Sequence, residues 1–488
     1  MCGCAAAVTR QLYVARGSRL DDVCAVDETG CIVYEGTTEQ LAEQLHNDKV
    51  KVWTVDSQIL TTIAEAYVAA GHFDRLSVAM RGTGSTGVPA PLSIKCDGLP
   101  ASWQDPSATF PDGDVSATAE QLGHGHQPLL AQGGEARASW LCKVMTDWVE
   151  LVRGEIGADL SVTLASTAAK LGIPRSWRNA HRALSWRSDS WEFTRSAYYG
   201  GRVQCLQAGW TGQAVEYDLR SAYGWALTQP LPDWKIYDRR PLPRQPAWYD
   251  VDVFVNGALG PLPLRDEEQP HKLSYPTGAT IRGVWTREDL ERSGVGVKKV
   301  HRVLSGRWSR DLAPAVETWM ERREQVDGPR RALYRALANS LAGKLCQKSP
   351  SWALWQASAG EVPPPKAVPL SLHSALWAVP VPSAHTPITC PQAGSYVTAL
   401  VRSRVWPELN RPDAIYSDTD SIHLPASSAP PKNLGPAAGQ WAAKVTGEAE
   451  YLGVRNYKIG SKMVRPLALL QQFGFGRSKA KAQETAPF

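Results

Sequence analysis

The stretch Ile415-Tyr-Ser-Asp-Thr-Asp-Ser-Ile-His-Leu424 decides how the rest of the chain is read. Apolar, β-favouring residues flank a tight polar tetrapeptide, a pattern that predicts a β-hairpin. Its turn presents Asp418 and Asp420 at a sheet edge. Carboxylates clustered there repel one another unless a cation joins them, and hard oxygen ligands suit Mg²⁺. A lone Asp-Thr-Asp also reads as an ordinary Asx-turn, so the reading needs support from elsewhere in the chain.

Two further segments supply it. In Val215-Glu-Tyr-Asp-Leu-Arg-Ser-Ala-Tyr-Gly224 an apolar strand ends at Asp218, with Ser221 and Tyr223 on the turn that follows. In Pro329-Arg-Arg-Ala-Leu-Tyr-Arg-Ala-Leu-Ala-Asn-Ser-Leu-Ala-Gly343, Pro in the first turn and Gly at the end punctuate a helix. Leu333, Leu337 and Leu341 form its apolar stripe, while Arg331, Arg335 and Asn339 fall four apart and share another face. Two cations and an amide on one face suit a triphosphate. A surface helix with basic decoration is the plainer alternative.

The bulk numbers frame these motifs. A chain of 488 residues has room for two or more domains, and 43% apolar with 21% charged residues is ordinary for a globular protein. No apolar run approaches the roughly 18 residues of a membrane-spanning helix. Met1-Cys-Gly-Cys-Ala-Ala-Ala lacks the basic flank of a secretory signal, so the protein is expected in the cytoplasm without membrane partners. Nine cysteines are scattered, and neither Cys2/Cys4 nor Cys24/Cys31 has zinc-site spacing, so reduced thiols are expected. The net charge, 53 − 48 = +5, is mild. Its distribution is more telling: Arg322 to Lys348 holds seven basic residues against two acidic, and Arg455 to Lys481 holds seven and none. Two positive stripes in a balanced chain suggest surfaces that meet phosphates, although solvated helix faces have the same look.

Periodicity predicts helices over 39–47 and 57–72 flanking a strand at Val50–Val55. Residues 82–138, rich in Gly, Pro, Ser and Asp, read mostly as loops. Helices follow at Ser139–Gly154 and Leu160–Leu171. Beyond Tyr198-Tyr-Gly-Gly-Arg202, strands (Ala214–Leu219, Trp248–Val255) alternate with helices (Ala313–Val326, Pro329–Leu341, Gly394–Val405). The Pro-rich stretch 362–391 reads as a long loop or hairpin insertion. Divisions near 195 and 428 give three domains, 1–195, 196–428 and 429–488.

Taken in order, Asp-x-x-Ser-x-Tyr, Arg-x-x-x-Asn-Ser-x-x-Gly and Tyr-x-Asp-Thr-Asp-Ser resemble motifs A, B and C of family B DNA polymerases, roughly a hundred residues apart. Tyr198-Tyr-Gly-Gly201 resembles the segment joining the exonuclease and polymerase domains in the protein-primed branch found in phages and mobile elements. Arg455-Asn-Tyr457 resembles that branch's K-x-Y motif, with Arg for Lys. The likeness covers about residues 140–465 and is specific at the motifs.

This resemblance implies an α+β right-hand polymerase of palm, fingers and short thumb, beside an N-terminal RNase H-like exonuclease-type α/β domain. It implies a DNA-directed nucleotidyltransferase in which Asp218 and Asp420 ligate two Mg²⁺ ions (or Mn²⁺), with Asp418 as an auxiliary carboxylate. Ser221 and Tyr223 would meet the incoming deoxynucleoside triphosphate, Tyr223 excluding a 2′-hydroxyl. Arg335, Asn339 and Arg323 would also serve the nucleotide. Tyr198, Gly200, Gly201, Tyr416, Thr419, Arg455 and Tyr457 would meet the DNA template-primer. The branch admits a terminal or priming protein as a further partner, and the residues leave protein, RNA and DNA-end priming open.

The departures also shape the expectation. Motif A ends Tyr223-Gly224 where the family has Tyr-Pro, which loosens the turn. Ala342 stands where motif B carries Tyr, opening space near the nascent base pair. Sixty-seven residues (488 − 421) follow motif C, implying a short thumb. The proofreading motifs are broken: Asp27-Glu28 are adjacent, Asp56 lacks its preceding Asn, and Lys143 replaces the Tyr expected ahead of Asp147. A degenerate exonuclease-like domain kept as scaffold is the expectation. The rival readings are a primer-making or template-independent nucleotidyltransferase, and a DNA-binding protein with a silent palm.

Overall fold

A computed structural model describes residues 10–16, 22–45, 50–72, 76–81, 90–96, 101–161, 163–183, 189–266, 272–347, 351–356, 361–364, 367–370, 375–381 and 389–465. They form two compact units, each gathered from separated stretches. The first takes Met1–Lys170, Glu321–Ser340 and Lys348–Pro387; the second takes Leu171–Met320, Leu341–Gln347 and Ile388–Phe488. The sequential divisions expected at 195 and 428 thus differ from these units, because the chain returns twice to the first.

The first unit is built on a mixed sheet of ten described strands. Arg10–Arg16 pairs antiparallel with Asp22–Asp27 and parallel with Val50–Trp53, which in turn runs parallel to Ser102–Gln104. The helix Ser57–Ala69 lays Leu60, Ile63, Ala64 and Tyr67 into the same core as Leu12, Val14, Val52 and Trp103. That is one face of a 3.6-residue period, and Asp56 caps its first turn by accepting from the Gln58 amide at 3.0 Å. The helix Gly133–Ile156 starts six residues before the expected Ser139. Its two leading glycines hide the start by their low propensity, and Gly134 is needed there: a Cβ would lie 3.0 Å from Cys24 Cβ.

The structure refines two loop expectations. Residues 82–138 hold the strands Ala90–Cys96 and Ser102–Gln104 and the helix Val115–Gln121. Within 362–391 the hairpin alternative is the one formed: Val368–Pro369 pairs with Leu376–Val381, which pairs with Ser351–Gln356. Partner strands far away in sequence stabilise these segments, which local composition cannot reveal.

The second unit carries a seven-stranded antiparallel sheet in the order Lys462–Val464, Asn456–Ile459, Trp441–Gly453, Trp210–Leu219, Ser421–Pro425, Tyr416–Thr419, Arg202–Cys205. A four-stranded sheet contains Ala247–Val255 and Gly296–Ser309. Among the described residues, Trp441–Gly453 pairs along Trp210–Leu219, and Asn456–Ile459 and Lys462–Val464 extend the same sheet, so these strands are continuous with it. The basic residues beyond Arg465 lie outside the described residues.

The helix Pro391–Leu409 is buried from Pro391 through Ala399. This buried first half carries no charged side chain, which suits it to such a place, and two of its polar side chains are tied to the four-stranded sheet. Trp248 donates its indole N–H to Ser395 Oγ at 2.9 Å, and the Tyr396 hydroxyl accepts from the Ala247 amide at 2.7 Å. This packing holds the four-stranded sheet beside the strands that carry the carboxylates.

Candidate active site

The predicted hairpin forms as read: Tyr416–Thr419 pairs with Ser421–Pro425, with Asp418 opposite Ser421. On the next strand Asp218 is also opposite Ser421. One serine therefore stands between Asp418 and Asp218 across three neighbouring strands. Asp420 sits at the tip, where its carbonyl accepts from the Leu219 amide at 2.9 Å, tying the turn to the end of the Asp218 strand.

The turn is strained. The Asp420 amide reaches back to the Asp418 carbonyl at 2.7 Å around Thr419, whose φ is +61°. This positive-φ γ-turn is the rarer form and disfavours a β-branched residue. Ser221, at the start of the helix Ala222–Thr228, has φ +48°, and Arg455 has φ +54°. Three of the six positive-φ non-glycine residues among those described therefore fall on segments that resemble polymerase motifs: A, C and K-x-Y. Strain of this kind persists where surroundings over-determine the backbone, commonly at functional sites.

Gly201 supports the turn from beneath. A Cβ there would lie 2.4 Å from Thr419 Cγ2 and 2.7 Å from Thr419 Cα, so only glycine lets the two backbones approach. Gly200 has open space around it and meets no such demand. Tyr198 is half-buried, its hydroxyl pushed up to about 12 by burial.

Electrostatically the site is short of positive charge. Burial, and then the neighbouring Asp218, raise the Asp420 carboxyl to about 7. The cation beside it is Lys444, 3.0 Å from Asp218. Among the described residues no three His, Cys, Asp or Glu side chains converge as a protein cage for a metal. One or two carboxylates completed by substrate phosphates is instead the donor set of Mg²⁺, and the Asp218–Asp420 pair, with Lys444 as the cation beside it, fits it.

A pH prediction follows from Asp420. Its unfolded pKa is near 3.9 and its folded value about 7, so between them the folded state keeps a proton the unfolded chain has lost. Stability therefore falls as pH rises from about 4 to about 7 and stays lowered above. Asparagine carries no such charge. In EDTA, Asp420→Asn should melt above wild type at pH 8, by about 3 °C or more, and together with it at pH 4.5. Equal melting at both pH values would show that Asp420 is not held in a charge-poor environment.

Tyr223 belongs to this neighbourhood. It is half-buried in the first turn of Ala222–Thr228, and burial, then Asp420, hold its hydroxyl far above the usual range. Gly224 corrects the loose-turn expectation: it is buried inside that helix, and a Cβ would lie 3.0 Å from Met320 Sδ.

The comparisons with known proteins bear on this arrangement. No family model and no curated protein matches the sequence. Solved structures do. "Phi29 DNA polymerase complexed with primer-template DNA and incoming nucleotide substrates (ternary complex)" is 15% identical, with a TM-score of 0.69 over 92% of this chain and 87% of that one. The orthorhombic crystal form of phi29 DNA polymerase is 14% identical, with a TM-score of 0.70 over 93% of this chain and 89% of that one. The fold is that of phi29 DNA polymerase. The α+β right-hand architecture expected from the sequence is thus observed, and among the described residues no helix is long and apolar enough to cross a membrane.

Within this phi29 polymerase fold, the remaining expected residues separate into surface and core. Arg335 and Asn339 are exposed on the helix Gly328–Leu345, with Leu333, Leu337 and Leu341 buried on its other side, as the spacing predicts. Arg335 pairs with Asp112 at 2.6 Å, both half-exposed, and Arg323 pairs with Glu324. Arg455 is exposed, its amide donating to the Tyr416 hydroxyl at 3.0 Å. Tyr416 and Tyr457, expected against DNA, are instead core residues, 0% and 5% exposed. They stack with Tyr451, ring centroids 5.8 Å (Tyr416–Tyr451) and 5.4 Å (Tyr451–Tyr457) apart. His423 joins them, 2.7 Å from the Tyr451 hydroxyl, and burial lowers its pKa to about 3, so it stays neutral.

The exonuclease-like acids are dispersed. Asp27 closes a turn by accepting from the Thr29 and Cys31 amides, Asp56 is paired with Arg16 at 3.0 Å, and Asp147 with His124 at 2.7 Å. Lys444, and Arg16 as the partner of Asp56, are the residues that motif reading missed. Nothing in their local sequence marks them.

Proposed function

We propose that this chain is a template-directed DNA polymerase that extends a primer 3′-hydroxyl with deoxynucleotides. The observation that carries the reading is the Asp218–Asp420 pair, placed on adjoining strand ends of a phi29-type fold and short of positive charge. Asp218 and Asp420 would hold Mg²⁺ or Mn²⁺, which when bound lowers the pKa of the attacking hydroxyl and offsets charge on the leaving pyrophosphate. Asp418 supplies negative potential without joining the pair. Ser221 sets the start of the helix that carries Tyr223 beside the carboxylates. Among the described residues Arg335 is held by a surface ion pair, worth about 0–1 kcal/mol, and so is readily given up to a phosphate; Asn339 and Arg323 flank it in sequence. Arg455 and Lys458 are exposed to meet a DNA backbone.

Extension of a primed template, but not of the same primer without template, tests the reading. Template-independent addition would favour the rival nucleotidyltransferase, and no addition under either condition would favour a silent palm.

The same reading omits proofreading. Two-metal hydrolysis needs carboxylates converging on ions about 3.5–4 Å apart, whereas Asp27, Asp56 and Asp147 each serve a different local partner. Single-stranded DNA incubated with the protein and Mg²⁺ or Mn²⁺ should keep its length, and a mismatched primer end should stall or be extended. Shortening that is lost in Asp56→Ala or Asp147→Ala would reveal a working site.

A further inference from the structure

The strand Trp441–Gly453 runs antiparallel to Trp210–Leu219, and its register slips by one residue beside the carboxylates. Ala442 faces Asp218, Ala443 faces Tyr217, and Val445 faces Glu216. Lys444 is the extra residue of a β-bulge. A bulged residue is unpaired in the ladder and its side chain is re-aimed, which is why such irregularities recur next to active sites. Here the re-aimed group is an ammonium, and its Nζ lies 3.0 Å from Asp218 Oδ2.

Its surroundings define what that contact does. Among the described residues, Lys444 is the ion-pair partner of Asp218, with half of its side chain (53%) in solvent and 23% of the aspartate exposed. The nearby Lys462 is committed elsewhere, to the buried Glu216 at 2.6 Å. The contact is thus neither a buried structural bridge nor a remote surface pair. It is a tethered monovalent cation on the carboxylate that a divalent cation would need, attached through a flexible four-carbon stem that can leave.

We infer that Lys444 is a resident counter-cation of the Asp218–Asp420 pair, which competes with divalent ions for Asp218 and holds the site in a low-affinity state until substrate phosphates arrive. This rests on the two-carboxylate reading above. Two cations on one carboxylate repel, so the lysine must withdraw as the metal binds. Incoming phosphates bring the negative charge that lets both remain nearby.

The test is Mn²⁺ binding to the full-length protein without DNA or nucleotide, followed by electron paramagnetic resonance of the free ion. Lys444→Gln should bind Mn²⁺ roughly tenfold more tightly than wild type, since a charge within contact distance is removed. Lys444→Met should do the same, and Lys444→Arg, which keeps the charge, should stay near wild type. Asp218→Asn should lose the bound ion. Adding a deoxynucleoside triphosphate should shrink the difference between wild type and Lys444→Gln. If both neutral variants bind Mn²⁺ no more tightly than wild type while Asp218→Asn loses it, the counter-cation role is overturned and the metal-site reading survives. If Asp218→Asn binds Mn²⁺ like wild type, the two-carboxylate reading itself falls, and the inference with it.

Discussion

Asp218→Ala and Asp420→Ala should each reduce nucleotide incorporation by about a thousandfold or more, while leaving affinity for primed DNA within a few-fold of wild type. The large effect comes from where the charge is needed. Phosphoryl transfer concentrates negative charge on the triphosphate, and catalysis is mostly the positioning and electrostatic stabilisation of that charge. On the proposed function, each substitution removes one of the two anions that would gather the stabilising cations. Asp420 is also the group most perturbed by its partner, its carboxyl held near 7 by burial and by Asp218. On the proposed function, DNA affinity would rest on basic groups such as Arg455 and on counterion release, so it should respond little. Primer extension read alongside a gel-shift titration separates the two quantities. Extension at the wild-type rate by either variant would show that the palm assignment is wrong.

Removing the Tyr223 ring should admit ribonucleotides. In Tyr223→Ala the preference for a deoxynucleotide over the matching ribonucleotide should fall by about a hundredfold, because a steric wall rejects by clash rather than by a lost hydrogen bond. The structure gives the ring a reason to be rigid. Tyr223 is half-buried at the start of a short helix whose preceding residue, Ser221, is pinned at φ +48°. Gly224 lets that helix close against Met320. Tyr223→Phe keeps the bulk and should keep the preference, which distinguishes the ring from its hydroxyl. Kinetics of single ribonucleotide addition by the two variants make the comparison. If Tyr223→Ala rejects ribonucleotides as strongly as wild type, another residue is the gate.

What was legible from sequence was local. Strand, turn and strand are contiguous within Ile415–Leu424, so alternation and turn chemistry alone predict the hairpin that carries Asp418 and Asp420. Within Gly328–Leu345 the four-residue spacing places Leu333, Leu337 and Leu341 inward and Arg331, Arg335 and Asn339 outward, and burial agrees. Each element's two faces follow from its own period, and no distant residue has to be known. The order of the three polymerase-like segments, and with it the right-hand fold, is also a property of the chain alone.

The remaining features depend on pairings between residues far apart in the chain, and these only the tertiary structure decided. Whether Tyr416 and Tyr457 meet solvent or one another depends on the register of Trp441–Gly453 against its neighbours, and a slip of one residue reverses every side chain. The bulge that brings Lys444 to Asp218 joins residues from opposite ends of the polymerase region, with no local mark on either. Pairing of Asp56 with Arg16 and of Asp147 with His124 gives separate partners to acids that a motif scan can only record as imperfectly spaced. The compact units, too, are made by returns of the chain at Glu321 and Lys348. Short-range periodicity decides which face of an element is apolar, but the partner that covers it is chosen by long-range packing, whose energy no local window contains.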